Sequence, residues 1–336
     1  MENNIYENDP VFESYLKEQQ EKREIKRTAN FVGGAFLALM ILPFIISTMF
    51  VNFLKVVGLP VSQVELLIKD PTFTMFLQIF LSVTMFLLPL GIILYGEHVK
   101  LKDIVSFRKP KNELFLPTIL VCVGITAFAN VVSNMITSMF NGIGLPVSAP
   151  DFDVPKGVLG FIISFLAIAV TPAFVEEFAL RGVYMGTLKK YGKAFAVVVS
   201  AILFGLMHGN LAQIPFAFIL GIAIGIAVIK TDSLWTGIII HFINNAVSVI
   251  LTQITENLQS TTAQTFVTAL YFALCILAFF TGIYLFKGKT RELVQFEDKE
   301  EKGDIAKKLK WFFSAPTVII SIVVTGIECL AALFMY

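Results

Sequence analysis

The segment TPAFVEEFALRG, residues 171–182, places two glutamates and an arginine inside an apolar run that extends over residues 157–188. A run of that length exceeds the roughly 20 apolar residues that an α-helix needs to cross a bilayer. Ionisable side chains are costly inside a membrane, so carboxylates at this position are candidates for a functional site. The segment therefore predicts a transmembrane helix that carries chemistry.

The composition of the whole chain agrees with a membrane location. Hydrophobic residues make up 56% of the 336 positions, charged residues 15%, and the mean hydropathy is +0.77. The net charge of +1 gives no indication of nucleic acid as a partner. Cys122, Cys275 and Cys329 lie far apart in apolar runs, without the spacing of a disulfide framework or metal motif. We therefore predict an all-α polytopic membrane protein.

The number of membrane spans follows from the apolar runs. The fifth run is short, and only Gly209 and Asn210 separate it from the sixth, so we expect eight or nine transmembrane helices. The nine candidates cover residues 29–54, 72–95, 114–140, 157–188, 193–209, 211–229, 233–252, 265–286 and 311–335.

The basic residues predict the orientation. With the N-terminus in the cytoplasm and nine spans, 23 of the 26 lysines and arginines face the cytoplasm, and only Lys55, Lys69 and Lys156 face outward. Cytoplasmic loops of membrane proteins carry an excess of basic residues. We therefore expect a multi-pass protein of the cell membrane with a cytoplasmic N-terminus and, if there are nine spans, an external C-terminus.

The same runs divide the chain into four parts. Residues 1–28 form a cytoplasmic N-terminal segment that lacks the layout of a signal peptide. The charged loop 287–310 is interpreted as a solvated loop in preference to an amphipathic surface segment. The other predicted parts are the N-terminal transmembrane helices with their basic loop (29–113), the core that carries the polar motifs (114–252), and the C-terminal transmembrane helices (253–336).

Two further apolar runs carry polar motifs. FGLMHGN spans residues 204–210, and IIIHFINNAV spans residues 238–247. Residues four apart share one face of a helix, so each motif presents a pair on one side. These pairs are Glu177 with Arg181, Phe204 with His208, and His241 with Asn245.

The three motifs are expected at similar depths in the bilayer. The nearest cytoplasmic lysines are Lys189, Lys193 and Lys230. At ~1.5 Å rise per residue, the depths below these lysines are roughly 20 Å for Glu176, 22 Å for His208 and 16 Å for His241. The motifs can therefore converge on one site.

The residue types in these motifs suit hydrolysis of an amide. A carboxylate at low dielectric can act as general base on water, and a histidine can pass a proton to a leaving amine. His241 and Asn245 offer two donors for an oxyanion. Glu176 lies about 100° around the helix from Glu177, so we expect Glu177 to pair with Arg181 while Glu176 points elsewhere. The pair could equally be structural, and the histidines could be packing residues.

Other polar residues in the predicted spans have no obvious chemical role. Asn244 faces away from His241 and is interpreted as structural. Glu328, near the outer end of the last span, and the pair Asn130 and Asn134 are interpreted as packing or snorkelling residues. The sequence identifies no partner for Glu328, Asn130 or Asn134.

The ordered set EExxxR, FxxxH and HxxxN on successive helices resembles the CPBP family, which comprises type II CAAX prenyl proteases and Abi-type, bacteriocin-processing relatives. The resemblance covers roughly residues 115–250. It implies that Glu176 and His208 activate water, that His241 and Asn245 form the oxyanion hole, and that Phe204 supports the site. It also implies a glutamate-type intramembrane endopeptidase, although members have often been labelled metalloproteases. Its partners would be the lipid bilayer and a peptide or protein with a membrane-associated segment.

Three alternatives remain at this point. The chain could be a non-catalytic scaffold or bacteriocin-immunity protein with the same fold, or a proton-coupled transporter that uses the same carboxylates. No cofactor is expected, but Glu176, His208 and His241 could in principle bind zinc, because two histidines and a glutamate form a known catalytic set. The sequence does not identify the substrate.

Overall fold

The computed structural model describes residues 10–110, 112–149, 154–258, 260–286 and 304–335. Within these ranges the regular structure is entirely helical. The helices are α1 (Pro10–Val56), α2 (Val61–Lys69), α3 (Pro71–Leu87), α4 (Leu90–Gly96), α5 (Leu101–Ile104), α6 (Asn112–Gly142), α7 (Gly157–Tyr191), α8 (Lys193–Leu206), α9 (Ile214–Thr231), α10 (Leu234–Asn257), α11 (Thr261–Leu285), α12 (Ile305–Phe313) and α13 (Pro316–Met335).

Eight helical segments in the described part of the chain are long and apolar enough to cross a membrane. They lie in α1, α3 with α4, α6, α7, α9, α10, α11 and α13. The predicted class, an all-α polytopic membrane protein, is confirmed. The fifth run forms α8, which has only 14 residues. Its length of about 21 Å is less than the ~30 Å of hydrocarbon in a bilayer.

The short helix α8 forms an antiparallel hairpin with α9. Gly221 lies against Ala201, and Gly225 lies against Val197, so the two helices approach closely over several turns. A Cβ on Gly221 would lie 3.1 Å from the Cα of Ala201. Lys193 at the start of α8 and Lys230 at the end of α9 therefore lie at the same end of the hairpin, and the turn 207–213 lies at the other.

The first helix is longer than the hydropathy predicts. It begins at Pro10 and continues through the charged residues into the apolar run, although residues 1–28 were expected to form a separate segment. The reason is tertiary packing, because Ile25, Thr28 and Ala29 are fully buried against the rest of the bundle. Residues 1–9 lie outside the described ranges.

The charged loop predicted at 287–310 is only partly described, because residues 287–303 lie outside the described ranges. Its end is helical and belongs to α12. Asp304 caps this helix by accepting a hydrogen bond from the amide of Ala306 at 2.9 Å. Lys308 is buried and donates to the carbonyl of Tyr191 at 2.8 Å, which anchors the helix on the end of α7. The solvated-loop interpretation is therefore wrong for residues 305–310.

The last helix, α13, packs directly on the first. A Cβ on Gly33 of α1 would lie 2.6 Å from the hydroxyl of Thr317 and 2.7 Å from Val318, so the helices touch where Gly33 has no side chain. The hydroxyl of Ser321 donates to the carbonyl of Gly33 at 3.0 Å. Small residues and interhelical hydrogen bonds are the usual basis of close helix pairs in membranes.

Candidate active site

The helix that carries both glutamates is irregular on either side of them. In α7, π-helical turns cover Phe165–Val170 and Phe178–Tyr184, and an ordinary α-helical segment, Thr171–Glu177, lies between them. Wide turns of this kind are frequent at functional sites. Glu176 and Glu177 are thus the last two residues of the α-helical segment, directly before the second π-helical turn.

Glu177 and Arg181 form the buried centre of the site. Both side chains have no exposed surface, and an Arg181 guanidinium nitrogen donates to Oε1 of Glu177 at 2.6 Å. The guanidinium also lies over the ring of Phe204, 4.2 Å from its centroid. The pair is the one that the four-residue spacing predicts. The cation–π contact adds a stabilising partner and joins α7 to α8.

His241 links the two neighbouring glutamates. Its Nδ1 lies 2.9 Å from Oε1 of Glu177, and its Nε2 lies 3.9 Å from Oε2 of Glu176. An ionised carboxylate can only accept a hydrogen bond, so Nδ1 carries the proton and Nε2 faces Glu176. Glu177 therefore orients the imidazole as well as neutralising Arg181. The spacing within one helix could not reveal this contact, which joins residues 64 apart.

Glu176 has a different environment from its neighbour. Its side chain is 15% exposed, whereas that of Glu177 is fully buried. Among the described residues Glu176 makes no hydrogen bond, and its polar neighbour is His241 at 3.9 Å. The expected division is therefore seen in the geometry: Glu177 is enclosed by Arg181 and His241, whereas Glu176 keeps some exposed surface.

His208 lies on the turn that follows α8. Its Nδ1 lies 2.8 Å from the carbonyl of Phe204, one helical turn earlier. A carbonyl only accepts, so Nδ1 donates and the lone pair of Nε2 remains free. The phenyl ring of Phe204 stands edge-on between the imidazoles, with ring centroids 5.4 Å from His208 and 5.6 Å from His241. Both histidines thus lie against one aromatic ring.

Asn245 is held by a backbone carbonyl of α7. Its side-chain amide donates to Ile168 at 3.0 Å. Pro172 stands four residues after Ile168 and has no N–H, so it cannot make the usual helical bond to that carbonyl. Asn244, interpreted from the sequence as structural, donates to the side-chain oxygen of Asn245 at 2.9 Å. This pair leaves one N–H of the Asn245 amide uncommitted.

The structure thus brings six of the predicted residues into one connected group. Contacts link Glu176, Glu177, Arg181, His241, Phe204 and His208, and Asn245 lies one turn beyond His241 on α10. Within the described part of the chain, no three histidine, cysteine or acidic side chains are grouped as metal ligands would be. The alternative zinc set of Glu176, His208 and His241 therefore does not fit a metal ion in this geometry.

A cavity of about 550 Å³ lies away from this group. It is bounded by the turn between α2 and α3 and by the start of α7, including Asp70, Lys156 and Gly160. Gly160 precedes Glu176 by 16 residues, which corresponds to roughly 24 Å along a helix. The cavity is therefore at the opposite end of α7 from Lys189 and does not belong to the candidate site.

The fold and the polar group together define a multi-pass membrane protein with a group of ionisable side chains buried between its helices. Residues 158–247 match the family described as Rce1-like, type II CAAX prenyl endopeptidase. This segment contains all three motifs, so the resemblance predicted from them is confirmed by the family match. The match begins at the start of α7, later than the resemblance expected from residue 115. The comparisons with curated proteins and with solved structures find no match.

Proposed function

We propose that this protein is an intramembrane endopeptidase of the glutamate type, which hydrolyses a peptide bond of a membrane-associated peptide or protein. The observation that carries the proposal is the contrast between the two glutamates. Glu177 is buried and bonded to Arg181 and His241, whereas Glu176 is partly exposed and 3.9 Å from His241. A carboxylate without competing hydrogen bonds is available to accept a proton from water.

His208 supplies the second basic group. Because its Nδ1 donates to the Phe204 carbonyl, Nε2 can accept a proton. In the proposed reaction Glu176 takes a proton from the attacking water, and this proton passes to Nε2 of His208, which then delivers it to the leaving amine. General acid–base steps of this kind contribute about 10²- to 10⁴-fold each.

His241 and Asn245 are assigned to the oxyanion that forms on the attacked carbonyl. His241 can donate from Nε2 only when both its nitrogens are protonated, since Nδ1 already donates to Glu177. In that form Nε2 of His241 supplies one donor to the oxyanion. The free N–H of the Asn245 amide supplies the second donor.

The location and orientation are part of the proposal. We place the protein in the cell membrane with its N-terminus in the cytoplasm. The hairpin of α8 and α9 is compatible with this orientation, because its two ends, Lys193 and Lys230, lie on the same side. The helices that follow the hairpin therefore run in the same directions as they would with nine spans. The C-terminus is then external. The partners are the bilayer and the substrate, with no role for nucleic acid.

The test uses purified protein in liposomes with two peptide substrates of one sequence, one farnesylated at a CaaX cysteine and one unmodified. Glu176→Gln and His208→Ala are expected to lower cleavage at least 100-fold. The matched controls are Glu65→Gln and His98→Asn, at exposed positions away from the site, which should cleave at the wild-type rate. Asparagine suits position 98 because His98 has a φ of +52°. Cleavage retained in either site variant would refute the mechanism.

A second function has its own support. The buried group of Glu177, Arg181 and His241 is held together without Glu176, as expected of a non-catalytic scaffold or immunity protein that keeps the group for stability. In that case the wild-type protein would cleave neither peptide, and Glu176→Gln would preserve the cellular phenotype.

A further inference from the structure

The last membrane helix carries a carboxylate that the site described above leaves out. Glu328 lies in α13, outside the matched segment 158–247. It is 12 residues beyond Pro316, roughly 18 Å along the helix, at a depth where a carboxylate is costly. Glu328 is half-buried and makes no hydrogen bond or ion pair with the described residues. The contacts of α13 with Gly33 of α1 described above are made by Thr317, Val318 and Ser321.

The side chain of Glu328 lies on Gly209. A Cβ built at Gly209 would be 3.0 Å from Oε2 of Glu328, 3.5 Å from its Cβ and 3.8 Å from its Cδ. Gly209 has a φ of +56°, in the left-handed region that favours glycine. It directly follows His208 in the chain. The carboxylate therefore packs against Gly209, whose left-handed backbone conformation allows the chain to turn immediately after His208.

Other segments hold the rest of this turn. The side-chain amide of Asn210 donates to the carbonyl of Ser148 at 2.8 Å, and the hydroxyl of Ser133 in α6 donates to the carbonyl of Ala212. These bonds act on the residues after Gly209. Glu328 is thus the contact from α13 that acts at the position next to His208.

We propose that Glu328 is a positioning residue for His208. By packing on Gly209 it holds the turn that sets the direction of the imidazole, which is hydrogen-bonded to the Phe204 carbonyl on the other side of the turn. The inference rests on the proposed function, in which His208 moves protons. It also makes α13 a wall of the site, although α13 lies outside the matched domain.

The first test reads the position of the imidazole directly. The chain has three histidines, so the ¹⁵N-labelled imidazole signals can be assigned by replacing each in turn. Glu328→Ala is expected to shift the His208 signals and leave those of His98 in place. Glu328→Gln retains the length of the side chain and should keep the His208 signals near their wild-type positions. If Glu328→Ala does not fold, Glu328→Asp replaces it.

Two results would overturn the inference. One is a His208 signal that stays at its wild-type position after the side chain is shortened. The other is an equal shift for Glu328→Gln and Glu328→Ala, because glutamine keeps the contact with Gly209.

A double-mutant cycle tests the contact itself. Gly209→Ala is expected to lower the unfolding midpoint, and adding Glu328→Ala should restore part of the loss, since the clash is removed. The control cycle pairs Gly326→Ala with Glu328→Ala, because nothing lies within 4 Å of a Cβ at Gly326, and there the effects should add. Additive losses in the Gly209 cycle would refute the contact.

Cleavage measurements separate this inference from the proposed function. Glu328→Ala is expected to lower kcat with little change in KM, because the proposed role of Glu328 is to orient the imidazole that moves protons. If Glu176→Gln and His208→Ala still cleave, the proposed function fails while the imidazole signals still decide the role of Glu328. If both are inactive and the signals do not move in Glu328→Ala, only the positioning role fails.

Discussion

His241 and Glu177 face each other at 2.9 Å across the interface between α10 and α7, with Nδ1 of the imidazole against Oε1 of the carboxylate. The same oxygen receives the guanidinium of Arg181 at 2.6 Å. One buried carboxylate oxygen therefore serves a cation on its own helix and an imidazole on another. The neighbouring Glu176 has no such set of partners, so the two glutamates should respond differently to the loss of their charge.

The first prediction compares the two glutamates. Glu177→Gln leaves Arg181 buried without a counter-charge, and breaking one partner of a buried pair costs about 3–5 kcal/mol. Glu176→Gln removes a charge that has no ion-pair partner closer than 3.9 Å, and should change the free energy of unfolding by about 1 kcal/mol or less. Chemical unfolding of the purified protein in detergent measures both.

A double variant serves as the control for this comparison. Replacing Glu177 and Arg181 together by methionine removes both charges and should recover most of the stability, since apolar replacements of a buried pair are often neutral. Equal destabilisation by Glu176→Gln and Glu177→Gln would contradict the assignment of Glu177 as the structural carboxylate.

The second prediction concerns Gly237, one helical turn before His241. A Cβ at this position would lie 2.9 Å from Oε2 of Glu177 and 2.8 Å from Val228, so Gly237→Ala must displace the carboxylate or the helix. We expect a loss of about 1–3 kcal/mol, as for other overpacked sites. The control is Gly91→Ala, because nothing lies within 4 Å of a Cβ there. A neutral Gly237→Ala would mean that Glu177 is not held against α10.

Contacts within one helix were predictable from the sequence. The pair Glu177 and Arg181, and the approach of Phe204 to His208, follow from the four-residue spacing and the helix period. The membrane class followed from the length and apolarity of the runs. The fifth run was recognised as short but was still counted among nine candidate spans, whereas its helix has only 14 residues.

Contacts between helices were not predictable, because they depend on rotation and crossing of helices that the apolar pattern does not fix. The hydrogen bond from His241 to Glu177 and the contact of Glu328 with Gly209 are of this kind. Glu328 was therefore interpreted as a packing or snorkelling residue. A partial signal existed for Asn245, since Pro172 leaves the carbonyl of Ile168 without its usual helical donor.

The third prediction concerns metal ions. Prolonged treatment with a chelator is expected to leave the cleavage rate unchanged, because the proposed reaction activates water through Glu176 and because Glu176, His208 and His241 are not grouped as ligands. Elemental analysis of the purified protein checks for zinc in parallel. Loss of cleavage on chelation with recovery on added zinc would instead restore the metal alternative.

The fourth prediction compares two buried tyrosine hydroxyls near the C-terminal end of α7. The hydroxyl of Tyr191 lies 2.8 Å from that of Thr28 in α1, whereas the hydroxyl of Tyr184 has no hydrogen-bond partner among the described residues. Tyr191→Phe removes a hydrogen bond and leaves Thr28 unpaired, which should cost about 1–2 kcal/mol. Tyr184→Phe removes a buried hydroxyl that makes no hydrogen bond with the described residues, so the stability of the protein should stay constant or rise. Unfolding midpoints measured under one detergent condition compare the two, and a larger loss for Tyr184→Phe would mean that its hydroxyl has a partner, such as a buried water.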